Sequence, residues 1–396
     1  MRIVLVTTEY VTEEANFDGG LANYTHRTAL SLLLLGHEPV VVVASDRREV
    51  LMHDGIEVHR VPVIWYSPLF RYFWILGIDW IPASYALNRE IRAIHRKRRV
   101  DVIQYTNLGA TALFRVSDIP AVARLSSYQK LLDEAYEAGR TLWVKGHQYL
   151  GQMALRRVDA VFGPSHIVGE AVKRDTGIGV ELIESPFPQD TCPMDDAVYR
   201  EIALESKGRD YLLFFGTLGL LKGIKTIGDM ICRLFHRYPD LCFVFVGKDF
   251  GLKGCSAIEY VRERAGVYHE RVIYRGRLPH GQLYPIIEHA RLVVLPSRFD
   301  NFPNTCIESM AFKKIVIGTR GTSFEELITD GVNGFLCERD DPESLFEVID
   351  SAMQVPSARC AEMGERAHER TLELAPDIIV KKLISLYSRV MDTDRV

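Results

Sequence analysis

Residues 209–249, "RDYLLFFGTLGLLKGIKTIGDMICRLFHRYPDLCFVFVGKD", decide the fold. An apolar run at 211–216 ends in glycine, a segment of helical period reaches about His236, and a second unbroken apolar run follows at 242–246. Strands this apolar, with no polar alternation, belong to a parallel sheet buried on both faces, and the segment between them is the crossover of a βαβ unit. The same grammar opens the chain: "MRIVLVTTEY", glycines at Gly19 and Gly20, helical period to Leu35, Gly36 as a stop, then "GHEPVVVVAS". Two such starts predict an α/β protein of two Rossmann-like, doubly wound domains in tandem.

Further strands of the first sheet are read at "DVIQYTN", "PAVARLSS" and "VDAVFGPS". Those of the second are "RVIYRG" (271–276), "RLVVLPS" (291–297), "KIVIGT" (314–319) and "GFLCE" (334–338). "ESPFPQDTCPMDD" (184–196) has three prolines and no periodicity, which marks the linker and sets the expected domains at 1–187 and 188–375. The composition, 47% hydrophobic and 25% charged over 396 residues, is that of a globular protein, and a net charge of −4 argues against general nucleic-acid binding. Seven cysteines without C-x-x-C spacing indicate neither a disulfide framework nor a zinc site, and fit a reducing, cytoplasmic compartment. The first residues read as a buried strand rather than a signal peptide. The apolar stretch Val61–Leu87 carries Arg71, Asp79 and three prolines and reads as no membrane span.

Ligands of open α/β sheets bind beyond the carboxyl ends of the strands, so a cleft between two such sheets is the expected site. There the chain reads "SRFDNFPNTCIESMAF" (297–312), a strand-to-helix loop, with the helix expected from about Thr305 to Phe312. Asp300 falls in the loop and Glu308 in the expected first turn, where carboxylates accept bonds from sugar hydroxyls and a ribose diol. The helix N-terminus suits a phosphate. The structural alternative is a T-x-x-E capping box, Thr305 to Glu308, with a second at Ser323–Glu326.

Residues 297–345, with "FFGTLGLLKGIKT" and the glycine-loop start of the chain, resemble retaining glycosyltransferases of family 4, group 1, with the GT-B fold. Their signature is an acidic residue, seven others and Glu, followed by small residues and Met, a strand, and a D-G-x-x-G loop. The resemblance implies transfer of a sugar from a nucleotide-sugar, a UDP-sugar first, to a hydroxyl of a glycan, glycolipid or lipid-linked acceptor in polysaccharide or glycoconjugate assembly. It implies Asp300 and Lys222 at the reaction centre, Lys222 neutralising the diphosphate. It places Glu308 on the ribose, Asn301, Phe302, Asn304 and Thr305 around the sugar and phosphates, and Thr217 and Gly20 near the diphosphate. The base would lie against Gly276, Arg277 and Leu278. Gly19, Ser126 and Tyr105 are the acceptor-side candidates, and the helix from about 376 to 396 is expected to return to the first domain. No metal or cofactor is expected, since a lysine and a helix end suffice for the leaving group and Asp392-Thr-Asp394 lies in the tail.

The chain departs from the pattern at three places. Thr217 stands where the family has Arg, with Arg320 or Lys225 as the expected substitute; Pro303 replaces a glycine; and Ser126 stands where many members have His. Two rival readings follow, a sugar-nucleotide 2-epimerase of the same fold and a catalytically silent nucleotide-sugar-binding subunit. Taken singly, Lys222 reads as a solvated loop lysine, Gly19-Gly20 as a turn, and His147 and His166 as satisfied or surface histidines. Arg92–Arg99 reads first as a solvated helix face, and the aromatics of 65–80 as core or lid. The rival for both is a peripheral contact with lipid headgroups at the inner membrane face.

Overall fold

The computed structural model describes residues 1–11, 19–63, 74–139, 141–188, 192–252 and 254–393. The chain forms two compact units, Met1–Pro188 with Leu374–Val396, and Gln189–Glu373. The division falls inside the proline-rich segment, where no helical or strand period competes with a chain crossing.

The first unit holds β1 (Arg2–Thr7), β2 (Glu38–Ser45), β3 (Glu49–His53), β4 (Ile56–Pro62), β5 (Val102–Thr106), β6 (Ala121–Arg124), β7 (Ala160–Gly163) and β8 (Val180–Leu182). They form one sheet in the order β3-β4-β2-β1-β5-β6-β7-β8. Every described pairing is parallel except β3–β4. Ile3, Val4 and Leu5 of β1 are buried on both faces, as the unbroken apolar run requires. The β3–β4 hairpin was not expected; its signal is the Asp54-Gly55 pair, both at positive φ (49° and 77°), the dihedral sign of a tight two-residue turn. The C-terminal helix Pro376–Thr393 packs into this unit, where the buried Tyr387 hydroxyl donates to Gln104 Oε1 at 2.7 Å.

The second unit holds β9 (Asp210–Phe215), the short β10 (Leu218–Gly219), β11 (Leu241–Val246), the short β12 (Asp249–Gly251), β13 (Val272–Arg275), β14 (Leu292–Val294), β15 (Val316–Thr319) and β16 (Phe335–Cys337). Its main sheet runs β13-β11-β9-β14-β15-β16 with parallel pairing throughout. Counted in chain order these strands read 3-2-1-4-5-6, the dinucleotide-binding order. The connections therefore reverse direction between β9 and β14. The parallel strands of the first unit reverse in the same way between β1 and β5. Each sheet thus has one switch point, where the loops leaving two adjacent strands diverge to opposite faces and open a crevice.

Candidate functional site

In the second unit the switch point is occupied by the residues singled out in the sequence. β9 runs into Gly216 and Thr217, then a turn of 3-10 helix, Leu220–Lys222, before the helix Ile224–Arg237. β14 runs into the loop that carries Asp300. Lys222 Nζ donates to Asp300 Oδ2 at 2.5 Å, with the two side chains 30% and 15% exposed. The pair is thus shielded but open to a ligand.

Backbone contacts fix that pair. Gly223 sits at φ 72°, and a Cβ there would come within 1.9 Å of the Pro296 carbonyl oxygen. Only glycine lets the Lys222 turn lie so close against the end of β14. The Arg298 N–H donates to the Leu221 carbonyl at 2.8 Å, joining the two loops directly. The Ser323 hydroxyl donates to the Asp300 carbonyl oxygen at 2.5 Å, anchoring that residue from the far side. Gly247, at φ 139°, packs its Cα against Gly216, where a Cβ would meet the Gly216 oxygen at 1.8 Å.

The helix after the Asp300 loop runs Asn304–Ala311 with Pro303 as its N-cap, and Pro303 supplies no capping side chain. The Pro303 carbonyl accepts the first helical N–H bonds, from Cys306 at 3.0 Å and Ile307 at 3.2 Å, so the amides of Asn304 and Thr305 lead the helix. Proline at this position gives up only a donor, while its carbonyl starts the helix. Thr305 is therefore not the cap, and Glu308 is the fifth helical residue rather than a first-turn one. The Thr305–Glu308 capping box is out of register, and the expectation of a first-turn Glu308 is corrected with it. The second box does not form at Ser323–Glu326 either: the Ser323 hydroxyl is used on Asp300, Thr322 is the N-cap with its hydroxyl accepting from the Phe324 N–H, and Glu325 Oε1 accepts from the Gly321 N–H at 2.8 Å.

Glu308 is buried, with His280 Nε2 3.8 Å from its Oε1. His280 opens the helix that follows the Gly276-Arg277-Leu278 stretch at the end of β13, so the expected base and ribose positions are neighbours. Gly276 and Arg277 are exposed and Leu278 half-buried, while Asn301 and Phe302 are buried under the Asp300 loop. Thr217 is exposed at the β9 end. Both expected substitutes for the missing family arginine are engaged in ion pairs. Arg320 pairs with Asp330 at 2.6 Å and Glu338 at 3.1 Å, and Lys225 pairs with Asp229 at 2.5 Å.

In the first unit the switch point opens into a cavity of about 550 Å³. Thr8 and Glu9 from the β1 end, Asn107 to Ala110 from the β5 end, and Trp80, Tyr128, Trp143 and His147 line it. Burial pushes the Glu9 carboxyl above its ordinary range. Gly19, N-cap of the helix Gly20–Leu34, abuts Glu9: a Cβ there would lie 2.6 Å from Glu9 Oε2. Ser126 caps the β6 end, its hydroxyl accepting from Arg124 at 2.8 Å and lying 3.2 Å from the Thr106 hydroxyl. Tyr105 is a correction. It has no exposed surface and its hydroxyl donates to Asn88 Oδ1 at 2.6 Å, because an inward-facing residue within a central strand belongs to the core.

The comparisons agree with this architecture. Residues 195–370 match the model of the Glycosyl transferases group 1 family, and residues 19–183 that of the Glycosyl transferase 4-like domain. The chain belongs to the group 1 glycosyltransferases. It is 25% identical to the D-inositol 3-phosphate glycosyltransferase of Corynebacterium urealyticum over 178 residues, 44% of this chain and 42% of that one. It is 23% identical to the glycogen synthase of Mycobacterium tuberculosis over 380 residues, 90% and 87% of the two chains. The chain spans about half the length of the first curated relatives it matches, 42%, 53% and 47%. Among solved structures, sucrose-phosphate synthase of Thermosynechococcus elongatus superposes with a TM-score of 0.78 at 19% identity over 99% of both chains. Anabaena HepE, in complex with UDP and glucose, gives 0.70 at 18% over 98% and 100%. The fold of this group 1 member is GT-B.

Several site residues carried no sequence signal of their own. The Ser323 hydroxyl and the Arg298 backbone N–H each bond a carbonyl that is remote in sequence. Glu9 was legible as a carboxylate just beyond a strand. Trp80, Trp143 and His147 come from segments without a motif; His147 is satisfied by Asp79 Oδ1 at 2.6 Å, as expected of it, yet lines the cavity. His166 is exposed at the start of its helix, and Arg96–Arg99 are exposed, a solvated face. Most of the aromatic run lies in 64–73, outside the described residues. Among the described residues one group could hold a metal ion, His26, His53 and Asp54, with Asp54 Oδ2 3.3 Å and 3.6 Å from the two Nε2 atoms. It belongs to the first unit and shares no residue with the Lys222–Asp300 site.

Proposed function

We propose that this chain is a retaining, metal-independent glycosyltransferase that moves a sugar from a UDP-sugar to a hydroxyl of a glycan or lipid-linked acceptor. The observation that carries the reading is the Lys222–Asp300 pair at the switch point of a 3-2-1-4-5-6 sheet, followed by a helix bearing the buried Glu308. Glu308 accepts the ribose hydroxyls, with the base along 276–278. The diphosphate takes Lys222 from Asp300 and meets the leading amides of Asn304 and Thr305, where a helix terminus favours negative charge. Asp300, released from the lysine, accepts from the hydroxyls of the donor sugar. The bond from the anomeric carbon to the diphosphate breaks as the acceptor oxygen bonds to that carbon on the same face. The acceptor proton passes to the departing phosphate oxygen, so the step requires no separate base. The UDP and glucose of the HepE complex support the choice of nucleotide.

The acceptor enters through the first unit, whose cavity lies at the corresponding switch point. Trp74, Ile75 and Leu76 are 54%, 47% and 46% exposed beside it in sequence, which supports a peripheral membrane contact. Nucleotide release from UDP-, GDP- and dTDP-sugars, by wild type, Asp300→Asn and Glu308→Gln, tests the reading. Release from one donor, weakened in both variants, is expected; nucleotide binding unchanged by Glu308→Gln would sink it. A glycosidic product separates transfer from 2-epimerisation, and the absence of release at any acceptor would leave the silent subunit.

A further inference from the structure

The first-unit cavity has aromatic walls and almost no charge. Its described lining contains no lysine and no arginine, and its ionisable members besides Tyr128 are Glu9 and His147. His147 is tied to the buried Asp79 at 2.6 Å. A layer of carboxylates stands behind the wall. Buried Asp133 accepts from the carboxamides of Gln129 at 2.8 Å and Gln148 at 2.7 Å, and Asp175 accepts from the Tyr128 hydroxyl at 2.9 Å. Each bond uses one amide N–H of Gln129 and Gln148 and fixes that rotamer, as the third lining glutamine, Gln152, is fixed by donating to the Tyr128 hydroxyl at 3.2 Å, and the carboxamide oxygens can accept from a ligand. Trp143 lines the same cavity, and its indole N–H is buried with no hydrogen-bond partner among the described residues. A buried donor left unsatisfied in this way calls for a ligand or water to complete it.

We infer that this cavity is a subsite for an uncharged sugar unit of the acceptor, held between the tryptophans and recognised by Glu9, the glutamine oxygens and the Trp143 indole. The inference rests on the glycosyltransferase reading and deepens it. A sugar ring offers C–H faces to an aromatic plane and hydroxyls that donate to carboxylate or carboxamide oxygens while accepting from an indole N–H. A phosphate or carboxylate would be desolvated against Glu9 with no cation in the described wall to offset it. Burial already desolvates the resident Glu9 carboxyl, which raises its pKa. A volume of about 550 Å³ admits one or two sugar rings.

Saturation-transfer NMR on the full chain tests this, with methyl glycosides of neutral hexoses as probes against hexose 6-phosphates and hexuronates. The expected result is binding of the neutral glycosides alone, weakened about fivefold to tenfold by Trp143→Phe, the value of one hydrogen bond. Gly151→Lys supplies a second test that should fold. Gly151 lines the cavity from a helix, and a Cβ there meets nothing within 4 Å. This variant should gain binding of the 6-phosphates. Charged sugars binding wild type as tightly as neutral ones would overturn the inference, as would neutral binding that neither variant alters. Nucleotide release from the same sample reports on the donor reading separately. Release without neutral-sugar binding overturns the subsite alone; sugar binding altered by the variants, without nucleotide binding, overturns the donor reading and leaves the subsite.

Discussion

Lys222 and Asp300 should respond to substitution with opposite signs in one measurement. In the unliganded site Asp300 holds Lys222 at 2.5 Å, so an incoming diphosphate must compete with it for the ammonium. The side chains are 30% and 15% exposed, which places the pair between a surface ion pair, worth about 0–1 kcal/mol, and a buried one, whose breaking costs about 3–5 kcal/mol. Lys222→Met removes the cation and leaves Asp300 without it. It should cost about 1–2 kcal/mol of stability, a fall of about 2–8 °C in the transition of this unit. The charge that develops on the leaving diphosphate loses its main counterion, and kcat/KM should fall by about 10²–10³-fold. UDP affinity should fall with it.

Asp300→Asn removes the competitor instead. UDP affinity should be unchanged or up to about fivefold tighter, the equivalent of about 1 kcal/mol recovered from the pair. Turnover should still collapse, because the carboxylate no longer accepts from the donor sugar. Calorimetric titration with UDP and coupled detection of nucleotide release give both quantities on each variant. Equal weakening of UDP binding in the two variants would refute the exchange of partners and reduce the pair to a structural tie between two loops.

Three further outcomes follow from the same geometry. Glu9→Gln should raise the melting temperature at neutral pH and leave it unchanged near pH 4: burial raises the folded carboxyl pKa, so stability is fully present below the unfolded value and declines as pH rises through the folded one; a difference independent of pH would exclude this account. Gly223→Ala puts a Cβ 1.9 Å from the Pro296 oxygen at φ 72°, and should destabilise by at least about 2 kcal/mol in urea titration while abolishing UDP binding. Thr217→Arg, at an exposed position beside the Lys222 turn, should tighten UDP up to about tenfold with a steeper salt dependence, and unchanged affinity would show that the diphosphate lies elsewhere.

Both sheets were legible because their strands are unbroken apolar runs, such as "YLLFF" at the centre of the second, and no other element tolerates that pattern beside a glycine loop. The β3–β4 hairpin was missed because the exposed face of β3 carries Val50 and Met52, at 59% and 66% exposed, so the alternation in burial is not an alternation in polarity. Asp300, Lys222 and Glu308 were found through a motif, and the structure brings Lys222 and Asp300 into contact across a separation that no local pattern encodes. The helix register was misjudged because Pro303 caps it through its carbonyl, a role invisible to a search for a capping side chain. Tyr105 was misplaced because polarity at a strand end says nothing about which face the residue takes. The cavity of the first unit was not foreseen, since its tryptophans and glutamines share no spacing.

The two switch points differ in charge rather than in topology. Both sheets reverse their connections beside their first strand, and so both open a crevice where the loop after that strand meets the loop after its neighbour. In the second unit the first-strand loop delivers a lysine, and glycine at 223 holds it against the neighbouring loop. In the first unit the corresponding loop delivers a glutamate, and the described wall answers with aromatics and carboxamides. A nucleoside diphosphate sugar needs the cation, because two phosphates taken out of water require a counterion. A neutral glycosyl unit needs none, and gains from flat apolar faces with fixed acceptors between them. Exchanging the charges should therefore exchange the preferences: a cation introduced at Gly151 brings anionic sugars to the first crevice, while loss of Lys222 removes the nucleotide from the second.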